Sequence, residues 1–345
     1  MEKHIRRLLP RFSILTLLFF GFLTVASAQS SVIVINRDYK LLINSNNGSI
    51  ESFDATMGGG NTQLLIPNQG SLPLFKVEFM NSDSKFRDIN SSQAKKVTVT
   101  KTTLNWGESI VINFEDISSL HVNARVTVRC PSGKSLTYWS LTLYNPTKMW
   151  IGHIQFPLVE VPFDRNPTED NCSHILYSLY DGVLVGPVVP SMVTAWRTTR
   201  YDTPETWRTP NYPRDCTTQM MAYYNHSGGL FVACEDSTGM PKLIAPLMEK
   251  DGVMMGLGHY PGSQGPGETK LPYEVVLGTF RGDWYAAAAI YRNWADKQSF
   301  LPPKLIDNTN YPKWLLKPVV GVAFPMRGEG DWDPPAKINP EYTPA

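Results

Sequence analysis

The sequence predicts a mainly β protein, a large antiparallel sandwich of two packed sheets followed by one helix. Short alternating or β-branched runs recur between turn residues from residue 31 to about residue 280. Helical periodicity is nearly absent from that stretch. Hydrophobic residues make up 42% of the 345 residues, which is enough to fill a core. So many strands in one uninterrupted stretch require two large sheets rather than a small barrel.

The predicted strands begin with a hairpin. Val32–Ile35 and Tyr39–Ile43 precede Asn46, Asn47 and Gly48, which predict a tight turn because Asn and Gly tolerate positive φ. Ile50–Phe53 then returns as the partner strand. The later predicted strands are Leu74–Phe79, Val97–Leu104, Ser109–Phe114, Val122–Arg129, Leu136–Leu143, Ile151–Phe156, Gly229–Cys234, Lys242–Ala245 and Tyr273–Thr279. This spacing is typical of an antiparallel sandwich.

The first 28 residues predict a signal peptide. Basic residues up to Arg11 precede the apolar run Ser13–Val25, and Ala26, Ser27 and Ala28 supply the small residues that a signal peptidase needs. The alternative is a membrane-anchoring helix, but the run is shorter than the roughly 20 residues that span a bilayer. We therefore expect a secreted, extracellular protein that has no membrane contact after cleavage.

Charge and motifs exclude several classes of partner. The chain has 32 basic and 31 acidic residues, so a nucleic-acid partner is not expected. No zinc-protease or EF-hand motif occurs, and the glycines at 58–60 and 262–267 lack the setting of a phosphate loop. We expect neither a metal nor another cofactor. The sequence leaves the oligomeric state open.

Secretion would allow two covalent modifications. The candidates for one or two disulfides are Cys130, Cys172, Cys216 and Cys234. Their pairing stays open, because four cysteines allow three connectivities. The candidates for N-glycosylation are Asn47, Asn90, Asn171 and Asn225. The alternative for these triplets is chance, since they have no such meaning in a bacterial protein.

A single amphipathic helix is predicted from Gly282 to Gln298, with Asp283 as its N-cap. Its predicted apolar face consists of Trp284, Ala287, Ala288, Tyr291 and Ala295. Pro302 and Pro303 end it, since proline cannot continue a helix. The predicted domains are a sandwich over 29–281, a linker helix over 282–303, and a further linker and strand over 304–345.

Three segments carry a resemblance to a known family. LPYEVVLGTFR with GDWYAAAAIYRNWADKQ (271–298), NYPRDCTTQMMAYYNHSGGLFVACEDSTGMPK (211–242) and YKLLINSNNGSIESF (39–53) resemble an uncharacterised family of secreted glycoside-hydrolase-like proteins. That family is described by a domain of unknown function and is distantly similar to endo-α-N-acetylgalactosaminidases. The resemblance implies a galactose-mutarotase-like supersandwich, a linker helix and the truncated start of a (β/α)8 barrel.

In that plan the barrel carries paired catalytic carboxylates. Only its first strand, Val319–Phe324, would be present here. Asp331 and Asp333 follow that strand, but an ordinary polar turn accounts for them better than a substrate-facing loop. We therefore assign no catalytic residue, and we expect the chain by itself to be inactive.

The stretch from 196 to 214 combines aromatic, charged and proline residues. Its candidates for carbohydrate contact are Trp196, Arg197, Arg200, Asp202, Trp207 and Tyr212. Aromatic rings stack on the C–H faces of sugars, and Arg and Asp bind hydroxyl groups. Prolines would lower the ordering cost of binding. The alternative is a loop whose aromatic side chains cover the sandwich edge or pack on the barrel.

The expected function is a non-catalytic, carbohydrate-associated sandwich that packs on a barrel and shapes its sugar cleft. One alternative is a standalone extracellular, lectin-like module, and continuation of the reading frame past Ala345 would distinguish the two. A weaker alternative is an aldose mutarotase, which needs a glutamate base and a histidine acid. The residues available for it are His121, His153, His174, His226, His259, Glu268 and Glu274.

Overall fold

The computed structural model describes residues 31–57, 60–83, 85–179, 182–191, 211–262, 264–301, 307–310, 312 and 314. The predicted signal peptide, the predicted barrel strand Val319–Phe324, Asp331 and Asp333 lie outside the described residues. The chain divides into two units, residues 1–291 and 292–345, and every strand below belongs to the first unit.

The described part of the chain is mainly β, as predicted. Its strands are β1 (Ser31–Ile35), β2 (Tyr39–Asn44), β3 (Ile50–Ala55), β4 (Thr62–Gln63), β5 (Lys76–Met80), β6 (Phe86–Asn90), β7 (Ala94–Leu104), β8 (Gly107–Ile117), β9 (Val122–Pro131), β10 (Leu136–Asn145), β11 (Trp150–Gln155), β12 (Glu160–Pro162), β13 (His174–Leu179), β14 (Val183–Val185), β15 (Asn211–Tyr212), β16 (Cys216–Asn225), β17 (Gly228–Glu235), β18 (Lys242–Met248), β19 (Gly252–His259), β20 (Gly267–Lys270) and β21 (Glu274–Phe280). The helix α1 spans Trp284–Ala295.

These strands form three antiparallel sheets rather than the two that were predicted. The ten-stranded sheet has the order β14-β13-β16-β17-β21-β10-β9-β8-β7, with β20 paired to β10. The seven-stranded sheet has the order β15-β18-β19-β11-β5-β6, with β12 paired to β19. The first predicted hairpin belongs to a separate sheet, β1-β2-β3-β4. Local pattern marks the strands, but it does not show which strands hydrogen-bond across long sequence separations.

The turn predicted in the first hairpin is confirmed, and glycine is required in it. Gly48 has φ +69°, and a Cβ there would lie 2.7 Å from Cζ of Phe114. Backbone conformation and space therefore both exclude a larger residue. The Asn44 side chain supports the turn, because its Oδ1 accepts a 2.8 Å hydrogen bond from the backbone N–H of Asn46.

Alternation along the strands builds one main core. In β9, Val122, Val126 and Val128 are buried while Asn123 and Arg125 are exposed. All three sheets contribute large, fully buried side chains to that core, among them Phe53, Phe79 and Trp139. Burying such a side chain stabilises the fold by about 1.5–3 kcal/mol. The exposed side chains of these strands, such as those of Asn123 and Arg125, are therefore the ones available for function.

Helix α1 packs on the outer face of the ten-stranded sheet, in a second, smaller core. Asp283 caps the helix as predicted, because its Oδ1 accepts a 2.9 Å hydrogen bond from the N–H of Tyr285. Ala287 is fully buried against a cluster that includes Phe231 and Val276.

The predicted apolar face of α1 is partly wrong. Trp284 is 46% exposed, and Ala288 is only half-buried. The residues that pack on the sheet are Ala286, Ala287, Ile290 and Tyr291. Periodicity detects an apolar stripe but does not fix its centre, because the short alanines fit on either side of it.

Candidate functional site

A buried ion pair lies where β17 passes into β18. The Asp236 carboxylate accepts 2.8 Å hydrogen bonds from the backbone N–H groups of Thr238 and Met240, which closes the turn between the strands. Lys242, the first residue of β18, binds the Asp236 carboxylate and donates a 2.7 Å hydrogen bond to the carbonyl oxygen of Met240. Both charged side chains are fully buried. Burial would raise the pKa of Asp236, but hydrogen bonds from Lys242 and Thr238 outweigh it and lower that pKa.

Aromatic rings and a neutral histidine enclose the lysine. Its ammonium group lies 4.2 Å from the ring centroid of Tyr273 and 5.4 Å from that of Tyr212, which is the geometry of cation–π contact. His259 Nε2 lies 2.8 Å from the carbonyl oxygen of Phe156, and its Nδ1 lies 2.8 Å from the Tyr273 hydroxyl. Because a carbonyl only accepts, Nε2 donates and Nδ1 accepts from Tyr273. Burial lowers the pKa of His259 to about 4, so the imidazole is neutral.

We call Tyr212, Asp236, Lys242, His259 and Tyr273 the anchor cluster. The central charges are buried, and every polar contact described above is made within the protein. The anchor cluster therefore has a structural role, because it fixes the strands that meet there. No catalytic step follows from it.

The anchor cluster receives the end of the predicted carbohydrate-contacting segment. Tyr212 on β15 lies opposite Lys242 on β18. The following turn is closed twice, because the N–H of Asp215 donates 2.6 Å to the carbonyl of Asn211, and the Asp215 carboxylate accepts from the N–H of Asn211. The other five candidates, Trp196, Arg197, Arg200, Asp202 and Trp207, lie outside the described residues. Tyr212 thus ties the C-terminal end of the segment to a buried charged centre.

A polar surface covers the part of the ten-stranded sheet formed by β8, β9, β10 and β21, on the face opposite the main core. Arg129 donates a 2.9 Å hydrogen bond to Glu274, and its guanidinium lies 4.8 Å from the ring centroid of Tyr138. Arg125 donates 3.0 Å to the side chain of Asn113. We call these five residues the polar face. Their mixture of donors, acceptors and an aromatic ring suits either sugar hydroxyl groups or a polar protein surface.

The histidines considered for a mutarotase are dispersed. His121 binds Asp116 in an exposed turn, and His226 is also exposed. His153 stacks on Tyr260, and His174 stacks on Tyr224. His259 is buried in the anchor cluster. Of the two glutamates, Glu274 is bound by Arg129, and Glu268 lies on β20. Within the described part of the chain, no hydrogen bond joins a histidine to either glutamate.

All four cysteines are free thiols in the structure, so the expected disulfides are absent from it. Across the β16–β17 ladder, Met220 lies opposite Ala233. In that register Cys216 and Cys234 do not lie opposite each other on the two strands. Burial raises the pKa of Cys216 to about 11 and that of Cys234 to about 12, so these thiols stay protonated at neutral pH.

Two further properties concern ligands and membranes. Among the residues that the structure describes, no three His, Cys, Asp or Glu side chains converge in a way that could hold a metal ion. Within the same residues, no helix combines the length and apolar character needed to cross a membrane.

Comparison with known proteins gives one family match. Residues 269–327 match a family described as a domain of unknown function, DUF6259. The match begins in β20, includes β21 and α1, and covers residues 271–298, one of the three segments that carry the sequence resemblance. No curated protein matches the chain.

Solved structures give a clearer result for the fold. The α-N-acetylgalactosaminidase NagBb from Bifidobacterium bifidum, in complex with GalNAc, is similar with a TM-score of 0.54 and 12% identity, over 77% of this chain and 39% of that chain. The chain shares the fold of part of this enzyme. A second structure of NagBb, with Gal-NHAc-DNJ, has a TM-score of 0.51 at 12% identity, over 77% and 38% of the two chains.

A galactose mutarotase related enzyme from Lactobacillus acidophilus is more distant, with a TM-score of 0.43 and 12% identity over 73% of this chain and 97% of that one. A similarity this low carries no argument about the fold or the function of this chain. The chain spans about two fifths of the length of NagBb.

The anchor cluster and the polar face could not be found from the sequence. The anchor cluster brings together residues from β15, β18 and β19 and from the loops that follow β17 and precede β21. The one local signal is Asp236 before a Ser-Thr-Gly turn, which is typical of a carboxylate that caps a turn. Which lysine would join it depends on the register of the strands.

Proposed function

We propose that this chain is a non-catalytic, carbohydrate-associated β-sandwich of a secreted glycoside-hydrolase-like protein. The observation that carries the proposal is the fold match, in which 77% of this chain aligns with only 39% of NagBb. In the proposed arrangement the sandwich has a structural role: it packs on a catalytic barrel, which is also proposed, and shapes the sugar cleft of that barrel.

The geometry supports two different roles for two surfaces, contact with another domain and contact with a sugar. The polar face, beside the helix that leads out of the sandwich, offers paired donors and acceptors to another domain. The segment that ends at Tyr212 offers aromatic and charged side chains to a sugar. Tyr212, the candidate that the structure describes, is held against Lys242, and a ring that is already held loses little entropy when a sugar stacks on it.

The proposal predicts no turnover by this chain. Purified protein from residue 29 to residue 345 is incubated with p-nitrophenyl α-N-acetylgalactosaminide, and release of p-nitrophenol is followed against buffer alone. The NagBb enzyme serves as the positive control. Release above the blank that persists through a second purification step would overturn the non-catalytic role.

Sugar contact by the segment is tested by Trp207→Ala on an array of neutral oligosaccharides. We expect binding to weaken about tenfold while the Tm changes by less than about 2 °C, since the loss of one stacking ring removes ligand contact rather than core packing. Trp106→Ala is the matched control, because Trp106 is an exposed tryptophan of the β7–β8 turn. A lowered Tm with unchanged binding would instead assign Trp207 to packing.

A further inference from the structure

A row of apolar side chains, exposed at its two ends, crosses the outer face of the seven-stranded sheet. Trp150 on β11 lies opposite Met80 on β5, and Met80 lies opposite Phe86 on β6. Trp150 is 39% exposed and Phe86 is 59% exposed. Adjacent strands are about 4.8 Å apart, so the backbones of Trp150 and Phe86 are about 10 Å apart, at the two ends of the row. We call these three residues the aromatic row.

A polar row runs directly beside the aromatic row. His153 lies opposite Glu78, and Glu78 lies opposite Asp88, on the same three strands. Side chains two apart on a strand share a face, so Glu78 and Asp88 stand beside the aromatic row. A register shift in β11 between Ile151 and His153 brings His153 to that face as well, although it is three residues from Trp150.

Neighbouring backbone supports the Trp150 ring. The N–H of Ile151 donates a 2.7 Å hydrogen bond to the carbonyl of Gln264, which ties the loop between β19 and β20 to β11. In that loop a Cβ on Gly265 would lie 3.6 Å from Cδ1 of Trp150, so the backbone there lies against the ring. Asn145 holds the loop by donating to the carbonyl of Gly265 at 3.2 Å. A supported ring loses little entropy when a ligand stacks on it.

We propose that the aromatic row and the polar row together bind a neutral oligosaccharide. The two rings would each stack on the C–H face of a separate sugar unit. The carboxylates of Glu78 and Asp88 would accept hydrogen bonds from sugar hydroxyl groups. The same two negative charges disfavour uronic or sulfated glycans through repulsion. The site shares no residue with the segment that ends at Tyr212, and only its ligand class rests on the proposed function.

The composition of this surface favours a sugar over a second copy of the chain. A stable dimer buries about 800 Å² on each partner, which three apolar residues beside two acids do not supply. A two-fold interface would also place the Glu78 and Asp88 carboxylates of two copies near one another, where like charges repel. A sugar needs only a narrow aromatic strip with acceptors beside it.

The test compares point variants of the chain from residue 29 to residue 345 on arrays of neutral and anionic oligosaccharides. We expect the wild type to bind neutral glycans and not polygalacturonate. Trp150→Ala should weaken that binding about tenfold and Phe86→Ala by a smaller factor, with the Tm unchanged within about 2 °C because both rings are exposed. Trp150→Phe, which keeps a stacking ring, should retain most of the affinity.

Three results would overturn this site. The first is that the wild type binds no neutral glycan, and the second is that the wild type and Trp150→Ala bind equally well. The third is that light scattering shows a dimer that Trp150→Ala dissociates. Trp106→Ala again serves as the exposed control. Trp207→Ala separates the two proposals, because loss of binding in only one of the two tryptophan variants identifies which surface holds the sugar. Turnover of a glycoside would contradict the proposed function while leaving the Trp150 comparison valid.

Discussion

The ammonium group of Lys242 lies 4.2 Å from the ring centroid of Tyr273 and also binds the Asp236 carboxylate, and both charged side chains are fully buried. Removing a charge from water costs several kcal/mol unless a partner compensates for it. Each charged group of the anchor cluster is therefore stabilising only while the other is present.

Lys242→Met should destabilise the protein by about 3–5 kcal/mol, because it leaves the Asp236 charge buried without its partner. Adding Asp236→Asn should recover part of that loss, since the remaining buried groups are then neutral. The free energy of unfolding is measured in urea for both single variants and the double variant. Lys96→Met is the control, because its ion pair with Glu115 is exposed and contributes less than about 1 kcal/mol. A loss at Lys242 as small as the control would contradict the role of the buried pair.

Glu160 should make the protein less stable as the pH rises. This side chain is 4% exposed, and its Oε1 lacks a hydrogen-bond partner in the structure. Burial, with a contribution from Glu249 and Asp251, raises the pKa of Glu160 from 4.5 to about 7. Between those values the folded state binds more protons than the unfolded chain, so the free energy of unfolding falls as the pH rises from about 4.5 to about 7 and is then level.

Glu160→Gln should remove that slope. The two proteins would then differ by about 1–3 kcal/mol more at pH 8 than at pH 4.5, in favour of the variant. Urea unfolding at several pH values gives the comparison. Glu268→Gln, at an exposed position on β20, should leave the slope unchanged. A pH profile of Glu160→Gln that parallels the wild type would show that Glu160 does not titrate in this range.

The packing of α1 distinguishes two adjacent alanines. Ala287 is fully buried on the sheet and Ala288 is half-buried, so Ala287→Asp should be the more destabilising change. We expect about 3 kcal/mol for Ala287→Asp, because the unpaired carboxylate enters an apolar cluster, and about 1 kcal/mol or less for Ala288→Asp. Helix propensity changes equally in the two variants, so the difference in Tm reports the packing. Equal losses would place the centre of the buried face between the two residues.

The sequence predicted the strands better than their arrangement. Alternation in Val122–Arg129 identifies β9 almost to its bounds, because one face of that strand is core and the other is solvent. The same criterion misses β19, whose eight residues are all buried, so that apolar and polar positions do not alternate.

The candidate site was less predictable than the strands. The aromatic and charged composition of residues 196–212 is visible in the sequence, and Tyr212 is where the structure anchors that segment. The aromatic row was not predicted, because Trp150, Met80 and Phe86 come from three strands and meet only through their register. A bulge, which adds one residue to β11, also changes which side chains share a face. The sequence signal for it is Gly152, because an isolated glycine inside a strand pattern favours a bulge.

The four sequons differ in how free their asparagine side chains are, which predicts where a glycan would attach. Asn171 is exposed in a turn closed by hydrogen bonds to Thr168. The Nδ2 of Asn47 instead donates a 3.1 Å hydrogen bond to the carbonyl of Gly70, and its Oδ1 accepts from Ser49. Attachment at Asn47 would require the loss of contacts that hold the first hairpin.

Expression through a eukaryotic secretory pathway should therefore glycosylate Asn171 and leave Asn47 unmodified. Intact-mass spectrometry before and after endoglycosidase treatment gives the number of glycans, and Asn171→Gln should lower it by one. Asn47→Gln should leave the mass of the glycans unchanged but lower the free energy of unfolding by about 1 kcal/mol, because it disturbs the side-chain hydrogen bonds of the turn. A glycan mapped to Asn47, or a bare Asn171 in a protein glycosylated elsewhere, would show that access during folding outweighs the folded geometry.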